Sequence, residues 1–344
     1  MPSVCSLSSR ANMNIFRCTA ATAWVLGTFL LGACGGGDSA TPVWGPSANA
    51  QAASSAGGAG NPDGDAGLGE VAGLGNAGSP DEPAETPAIP SCGRAVFRDG
   101  FETGAITVDK ARADAWTSMG LEMPGRSTAT VVSDPMGSPQ RVGRFMVPDD
   151  GESFRAEIQR RQFPWGRYRY AVSHHIPSTW PAFKYGTIIT QWHGFGMPDA
   201  DGKTVNLNPP IALAVYGLQP KWELHMYRLV EPGKPVTKLD RIPIDVPIAY
   251  DRWNDWVFDI TWSRLLPDGT VSPGLVVVTL NGKEVARVKG DNNYHQQWSP
   301  YLQMGIYRSS WRAGPDRGAS GGPPVVVHHK DLRVTDMTGC PAAD

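Results

Sequence analysis

The stretch LVVVTLNGKEVARV, residues 275–288, holds two β-favouring runs on either side of the dipeptide Asn281-Gly282. An Asn-Gly pair between two such runs favours a type I′ turn, because both residues tolerate a positive φ. The stretch therefore predicts a β-hairpin with strands at Leu275–Leu280 and Lys283–Val288. It sets the expectation of antiparallel β structure for the residues around it.

Short alternating runs of the same kind continue outward along the chain and are separated by Gly, Pro, Asn and Asp, which predicts further strands. These runs are Arg167–Ile176, Thr187–His193, Ile211–Tyr216, Trp222–Leu229, Trp256–Trp262 and Val325–Val334. No long amphipathic helix is evident, and only Asp109–Ala115 suggests a short one. Strands at this spacing are typical of an all-β sandwich of two antiparallel sheets, of the jelly-roll type.

Charge is unevenly distributed along the chain. The whole sequence has 31 Lys and Arg against 33 Asp and Glu, but residues 35–91 carry seven acidic side chains and no basic one. Arg10 and Arg17 are the basic residues before this span, so the part from Cys92 onward keeps 29 basic and 26 acidic residues. A nucleic-acid-binding domain normally shows a concentrated basic patch. We therefore expect no nucleic-acid partner, and we expect a monomer.

The N-terminal segment has the pattern of an export signal. Arg17 precedes the apolar stretch Ala20–Leu31, and small residues follow it up to Cys34. The ending Leu-Gly-Ala-Cys resembles the bacterial lipobox, in which the Cys is lipidated. We predict a lipoprotein signal peptide at 1–33 and a disordered acidic tether at 34–91. The protein would then be exported and anchored in the bacterial outer membrane, on its periplasmic face or at the cell surface; an ordinary signal peptide is the alternative.

Cysteine usage agrees with export. Once Cys5 and Cys18 leave with the signal and Cys34 carries lipid, the domain at 92–344 keeps Cys92 and Cys340, at its two ends. Two remaining cysteines in an oxidising compartment favour a disulfide between them. Two unpaired thiols are the alternative.

Polar side chains recur on one face of three predicted strands. Residues i and i+2 of a strand share a face, so alternation groups them and separates them from the apolar residues between. A sandwich buries only one face of each sheet, so these faces predict the lining of a concave groove. The three sets are Arg155, Glu157 and Gln159; Thr187, Ile189, Gln191 and His193; and Tyr301, Gln303, Gly305, Tyr307 and Ser309.

These three segments resemble, in this order, the motif strands of the jelly-roll polysaccharide lyases. The sequence around them, such as Phe97–Gly104 and Leu280–Lys283, is more similar to the heparin lyase I-like family, which is related to the alginate and glucuronan lyases. The resemblance spans Cys92 to Cys340 and implies a concanavalin-like β-jelly-roll with a concave groove. The matching motifs are Arg155-x-Glu157, Gln191-x-His193 and Tyr301-x-x-x-Gly305-x-Tyr307.

The resemblance implies cleavage of a glycosidic bond beside a uronic acid by β-elimination. The proton that leaves sits on the carbon bearing the carboxylate, and it is barely acidic until the carboxylate charge is neutralised. Donors must therefore face the developing enolate-like oxygens, a role that the resemblance gives to Arg155 and Gln191. A base and an acid complete the reaction, and the resemblance assigns these duties to His193 and Tyr307. Their division depends on the side of the sugar ring that carries the proton.

Further residues are expected to contact the substrate beside these four. Glu157 is also expected to orient Arg155, and Trp192 to stack on a sugar ring. His225 is included because it shares a strand face with Glu223 and Tyr227. The predicted substrate contacts are Glu157, His225, Tyr301, Gln303 and Trp192.

Two departures from the alginate-lyase pattern bear on the substrate. Gln303 replaces the Lys of the Tyr strand and Ser309 its terminal Gln, while Gln159 replaces the second Arg of the first motif. Fewer cations on the groove face favour an unsulfated polyuronate, such as glucuronan or alginate, over a heavily sulfated one. Heparin stays the alternative substrate.

Some other motifs in the sequence resemble metal sites, and two other functions are alternatives. His174-His175 and His328-His329 resemble metal ligands, but adjacent residues of a strand face opposite sides, so we expect structural roles and no catalytic metal. The loop Asp291–Asn293 could hold a structural calcium ion, although such loops are more often plain turns. A glycoside hydrolase would need paired carboxylates on one strand, and no such run exists in the sequence. A non-catalytic carbohydrate-binding or adhesion lipoprotein is the rival function.

Overall fold

A computed structural model describes residues 92–122, 126–312 and 322–341. The predicted signal peptide, the tether and the lipidated Cys34 lie outside the described residues, and these stay predictions. Within the described ranges, no helix is long and apolar enough to cross a membrane.

The described chain is built almost entirely of strands, with one helix, α1, at Ser309–Arg312. The first ten strands are β1 Arg94–Asp99, β2 Ser118–Leu121, β3 Thr128–Ser133, β4 Arg141–Val147, β5 Arg155–Arg160, β6 Arg167–His175, β7 Phe183–His193, β8 Met197–Pro198, β9 Thr204–Val205 and β10 Ile211–Gly217. The remaining strands are β11 Lys221–Leu229, β12 Thr237–Pro243, β13 Trp253–Thr261, β14 Arg264–Leu265, β15 Val271–Ser272, β16 Gly274–Leu280, β17 Lys283–Gly290, β18 Tyr301–Tyr307 and β19 Val325–Asp336.

Two large sheets form the molecule. The eight-stranded outer sheet has the order β17-β16-β13-β6-β19-β4-β3, with β1 beside β19, and the seven-stranded groove sheet has the order β12-β11-β10-β7-β18-β5-β2. Neighbouring strands in both are antiparallel and mostly not consecutive along the chain, which gives the predicted jelly-roll sandwich. The short pairs β8–β9 and β14–β15 lie outside the two sheets.

The hairpin predicted from residues 275–288 is present as β16 and β17. Asn281 has φ 47° and Gly282 has φ 78°, the signs that a type I′ turn requires. The Asn281 side chain also accepts a hydrogen bond from the Asp255 backbone N–H at 2.8 Å, which ties the turn to β13. By contrast, Asp109–Ala115 forms turns and not the suggested helix. There the Asp109 carboxylate accepts the Ala111 N–H at 2.9 Å, an alternative to helical bonding that Asp side chains favour.

The core fills the space between the sheets. On β18, Leu302, Met304 and Ile306 are buried against it, as alternation predicted. Trp222 of the groove sheet meets Trp256 of the outer sheet edge to face, with ring centroids 5.0 Å apart. Each fully buried large apolar side chain stabilises such a sandwich by about 1.5–3 kcal/mol.

Four histidines meet where β6 pairs with β19. His174 lies opposite His329 and His175 opposite His328, and the members of each sequence pair face opposite sides of the outer sheet. His174 and His329, called here the interior histidine pair, are fully buried, with their Nδ1 atoms 2.7 Å apart. His174 Nε2 lies 3.0 Å from Thr190 Oγ1 of the groove sheet, so the pair links the two sheets.

A disulfide closes the domain. Cys92 and Cys340 are bonded, with their Cα atoms 5.7 Å apart, which confirms the predicted pairing. Beside them β1 pairs with the end of β19, where Arg94 lies opposite Asp336. Both ends of the described chain therefore leave from the outer sheet.

Candidate active site

Three adjacent strands at the centre of the groove sheet carry the predicted site. The order β7-β18-β5 places them side by side. Gln303 lies opposite Gln191 on one side and Gln159 on the other. Tyr307 lies opposite Arg155, four residues further along β18 from Gln303. The register thus brings together segments that are far apart in the sequence.

A β-bulge interrupts the alternation of β7. Residue Leu213 pairs with Thr190 and the next residue, Ala214, with Ile188, so Ile189 is the extra residue. Ile189 is buried in the core, and Thr190 also points inward, toward His174. The prediction that Ile189 shares the groove face with Gln191 was therefore wrong, because a bulge shifts the alternation by one residue.

A matching irregularity in β18 depends on Gly305. This residue has φ 135°, and a Cβ on it would lie 2.1 Å from the Ala156 carbonyl oxygen. Only glycine allows this approach of β18 to β5. The register of β18 against β7 shifts between Met304 and Tyr307, and Tyr307 then lines the groove.

The groove-facing side chains surround one open cleft, whose empty volume, with the space open to solvent included, is about 520 Å³. It contains all four residues predicted to be catalytic, together with Glu157 and Gln303. The lining residues are Phe154, Arg155, Glu157, Gln191, His193, Asn206, Leu207, Asn208, Pro209, Gln303 and Tyr307.

Arg155 is held by a carboxylate that the sequence did not reveal. Its Nη2 donates to Glu122 Oε1 at 2.6 Å, while its buried Nε has no hydrogen-bond partner among the described residues. A Cβ on Gly120 would lie 3.2 Å from that Nε, so the glycine lets the guanidinium rest against β2. Arg155 therefore lines the cleft with a guanidinium whose N–H groups are not all used by Glu122.

Glu157 bonds to Gln191 and not to Arg155. Gln191 Nε2 donates to Glu157 Oε1 at 2.6 Å, so the expectation that Glu157 orients Arg155 was wrong in its partner. Burial raises the pKa of Glu157 to about 7, and the positive charge of Arg155 opposes this only in part. Gln191 Oε1 is buried and has no hydrogen-bond partner among the described residues.

His193 is held as a neutral ring with a defined tautomer. Its Nδ1 lies 2.6 Å from the Gly194 carbonyl oxygen, which only accepts, so Nδ1 carries the proton and Nε2 the lone pair. Burial lowers the pKa of His193 to about 4. The ring stacks on Tyr301, with centroids 5.4 Å apart.

Three predicted substrate contacts do not line the cleft. Tyr301 lies behind His193 as its stacking partner. His225 is on the groove sheet at β11, two strands from Gln191. Trp192 is fully buried in the core between Tyr170 and Phe258, at ring distances of 5.1 and 4.9 Å. The prediction of sugar stacking by Trp192 was wrong, because its neighbours Gln191 and His193 occupy the groove face and alternation turns the indole inward.

Several lining residues were missed from sequence. Asn206 and Asn208 come from the connection between β9 and β10, which has no strand pattern, and they line the cleft opposite the motif strands. The Tyr294 hydroxyl holds this connection by donating to the Asn208 carbonyl at 2.6 Å. The only sequence signal for these two residues was their spacing, with Asn206 and Asn208 on either side of the apolar Leu207.

Among the described residues, no three or more His, Cys, Asp or Glu side chains come together as a metal site. In the loop proposed for calcium, Asp291 is engaged by the protein itself. Its Oδ1 accepts from Ser263 Oγ at 2.6 Å, and its Oδ2 lies 3.0 Å from His295 Nε2. Asn292 Oδ1 accepts the Ser263 N–H at 2.8 Å. These side chains thus act as ties between the loop and β13.

A search of solved structures finds chains similar to this one. Endo-β-1,4-glucuronan lyase from the fungus Trichoderma reesei has a TM-score of 0.51 at 14% identity, covering 64% of this chain and 91% of that chain. Alginate lyase vAL-1 from Chlorella virus has a TM-score of 0.45 at 12% identity, covering 64% and 93%. Alginate lyase Aly36B has a TM-score of 0.45 at 13% identity, covering 73% and 99%. A search of curated proteins finds no match to this chain.

The family is shown by the sequence itself. Residues 108–331 match the family model described as polysaccharide lyase. This span runs from just before β2 to β19 and includes every residue of the cleft. The chain therefore belongs to the polysaccharide lyase family and is a polysaccharide lyase of the jelly-roll type.

Proposed function

We propose that this lyase cleaves a uronate-containing polysaccharide by β-elimination in the cleft of the groove sheet. The observation that carries the proposal is the convergence of Arg155, Gln191, His193 and Tyr307 on one cleft from three adjacent strands. Each supplies a group that the reaction needs, and no other lining residue duplicates the guanidinium, the imidazole or the phenol.

Arg155 and Gln191 would bind the carboxylate of the reacting sugar. Arg155 offers guanidinium N–H groups beyond the one that bonds to Glu122. Gln191 Nε2 carries two hydrogens, and only one of them is used by Glu157. Both donors act in a largely buried site, where they stabilise developing negative charge more strongly than they would in water.

His193 and Tyr307 would move the protons. The neutral imidazole presents the Nε2 lone pair and takes the proton from the carbon that bears the carboxylate. The pair of electrons left behind forms the new carbon–carbon double bond as the bond to the glycosidic oxygen breaks. That oxygen leaves with the proton of the Tyr307 hydroxyl. Where the sugar proton faces Tyr307, the Tyr307 hydroxyl first gives its proton to His193, and the resulting phenolate takes the sugar proton and passes it to the glycosidic oxygen as that oxygen leaves. The epimer cleaved therefore decides how the two residues divide the proton transfers.

The substrate favoured is an unsulfated polyuronate such as glucuronan or alginate. Arg155 is the single cationic side chain among the residues that line the cleft, and Glu122 already offsets part of its charge. One guanidinium and one amide suit one carboxylate. A heavily sulfated chain would call for more cations at this point.

The proposal is tested by incubating the purified domain with alginate, glucuronan, heparin, heparan sulfate and chondroitin while the ultraviolet absorbance of unsaturated uronides is recorded. Growth of absorbance with alginate or glucuronan, and less with heparin, is the expected result. No absorbance with any of the five would overturn the proposal and favour a non-catalytic carbohydrate-binding module.

We also propose that the chain is a monomeric lipoprotein anchored through Cys34 at the outer membrane. The lipobox-like ending and the Cys92–Cys340 disulfide support this, because disulfides persist in oxidising compartments. Metabolic labelling with a fatty acid, compared between the natural chain and Cys34→Ser, tests it. Equal labelling of both chains would refute it.

A further inference from the structure

The groove face of the site sheet continues past the cleft over β10, β11 and β12. Gln191 lies opposite Ala212, Ala212 opposite His225, and His225 opposite Arg241. These four residues form one line perpendicular to the strands. With adjacent strands about 4.8 Å apart, the backbone at Arg241 is roughly 14 Å from that at Gln191.

A glycine lets two rings lean across the sheet toward β7, in the row of Tyr216, which is four residues along β10 from Ala212. A Cβ on Gly186 of β7 would lie 3.0 Å from Tyr216 Cδ2 and 3.6 Å from His225 Cε1. Tyr216 belongs to β10 and His225 to β11, so both rings reach across the sheet to β7. Ala212 and Ala214 lie fully buried on the same face of β10. The two rings therefore form a floor on the groove face of the sheet between β7 and β12.

Arg241 lies on this floor and faces solvent. Its guanidinium carbon is 4.6 Å from the centroid of the Tyr216 ring, so the charge of a β12 residue sits above β10, toward the cleft. Its Nε is 3.8 Å from Glu223 Oε1, and 46% of the side chain is exposed. Stacking fixes the plane of the guanidinium while leaving N–H donors at its edge.

The buried imidazole of His225 is a second sign of a ligand contact near Arg241. The side chain of His225 is 8% exposed, and its Nε2 lies 3.6 Å from Glu223 Oε1 and has no hydrogen-bond partner among the described residues. Burial lowers the pKa of His225, and the nearby Glu223 carboxylate opposes this shift. Polar groups without partners are rare in buried positions, and this one lies directly between the cleft and Arg241.

We propose that Arg241, stacked on Tyr216, binds the carboxylate of a second uronate of the same polysaccharide chain, next to the sugar that reacts in the cleft. This rests on the proposed function, because a polyuronate alone brings a carboxylate on neighbouring sugars. A planar guanidinium accepts a carboxylate through two parallel hydrogen bonds. The contact is made before and during the reaction alike, so it lowers KM and leaves kcat nearly unchanged.

The test compares Arg241→Gln with the matched control Arg228→Gln. Arg228 lies on the neighbouring β11, is 43% exposed and pairs with Asp240 at 2.9 Å. Alternate residues of a strand share a face, so Arg228 lies on the same face of β11 as Leu224 and Met226 of the core. This is the face opposite to that of His225. Loss of one charge-assisted hydrogen bond predicts a KM for long polyuronate that rises roughly tenfold in Arg241→Gln. The control should keep its KM, and Arg241→Lys should recover part of the loss.

A binding measurement separates this inference from the proposed function. The affinity of each variant for unsulfated polyuronate is read by gel affinity electrophoresis, which needs no turnover. Weaker retardation of Arg241→Gln than of Arg228→Gln supports the subsite even if the protein forms no unsaturated product. Equal retardation, with an unchanged KM and an unchanged thermal midpoint, would overturn it and leave Arg241 as a surface ion pair with Glu223.

Discussion

Two regions of the molecule hold buried neutral histidines, and they differ in what surrounds the ring. In the interior histidine pair, His174 and His329 bond to each other, and His174 also bonds to Thr190, between the sheets. His193 bonds to its own backbone through Nδ1 and faces the cleft with its other edge. Burial lowers the pKa of all three. A lowered pKa therefore does not distinguish a structural histidine from a candidate base; access to the cleft does.

The largest expected effect comes from Tyr307→Phe, which tests whether the cleft is the reacting region. Removal of the proposed acid should lower the rate of unsaturated product formation by about 100- to 10,000-fold. The thermal midpoint should barely change, because the ring stays in contact with Phe154 at 6.1 Å between centroids. Tyr227→Phe, on the groove face of β11 but outside the cleft, is the matched control. Turnover equal to that of the control would remove Tyr307 from the mechanism.

The next effect concerns Glu157 and the pH dependence of stability. Its pKa rises from 4.5 to about 7 in the folded state, so between these values the folded protein binds a proton that the unfolded chain does not. Stability from this group is complete below pH 4.5 and is lost as pH rises through about 7. Relative to Glu157→Gln, the natural protein should lose up to about 3 kcal/mol across that window.

Thermal unfolding of both proteins across this pH range measures the difference. The exposed Glu231→Gln, which removes an ion pair with Lys234, should leave the slope as it is in the natural chain. Parallel stability curves for Glu157→Gln and the natural protein would show that folding does not raise the pKa of Glu157.

A substitution in the interior histidine pair should lower stability and leave turnover nearly unchanged, which is the reverse of the effect expected for Tyr307→Phe. His329→Leu leaves the His174 Nδ1 buried without its partner, which costs about 1–3 kcal/mol of unfolding free energy. Turnover per folded molecule should stay close to normal. Chemical denaturation together with rates corrected for the folded fraction tests this. A large fall in corrected turnover would mean that the pair also positions Gln191 through Thr190.

The smallest effect is expected for Glu122→Gln. Arg155 would keep its place against Gly120 but lose a charged partner at 2.6 Å, so its orientation at the cleft would loosen. We expect kcat/KM to fall about tenfold, which corresponds to one charge-assisted hydrogen bond. Glu152→Gln, which removes an exposed pair with Arg126, should leave kcat/KM unchanged.

Much of the fold followed from local chemistry. The Asn281-Gly282 turn, the long closing strand β19 and the alternation of β18 are properties of short stretches, and each was predicted. Arg155, Gln191, His193 and Tyr307 line one cleft, as alternation and the family resemblance predicted. Their catalytic roles stay predictions. What local chemistry cannot supply is strand pairing between distant segments.

The errors trace to that missing information. The bulge at Ile189 depends on the partner strands β10 and β18, and nothing in the residues themselves marks it. Glu122 became the partner of Arg155 because β2 pairs with β5, with Leu121 opposite Ala156. The prediction for Trp192 was wrong because it gave weight to an aromatic residue between two site residues. Alternation along β7 already placed its side chain on the core face.

The bond between Cys92 and Cys340 has a practical consequence for engineering. The chain enters and leaves the domain at one corner of the outer sheet. A surface or carrier protein attached at either end would therefore lie beside that sheet, which bears no cleft. The catalytic mouth would then stay open to a large polymer. Joining the two ends by a short peptide should also permit new termini to be cut elsewhere, for example in the turn at Asn281-Gly282.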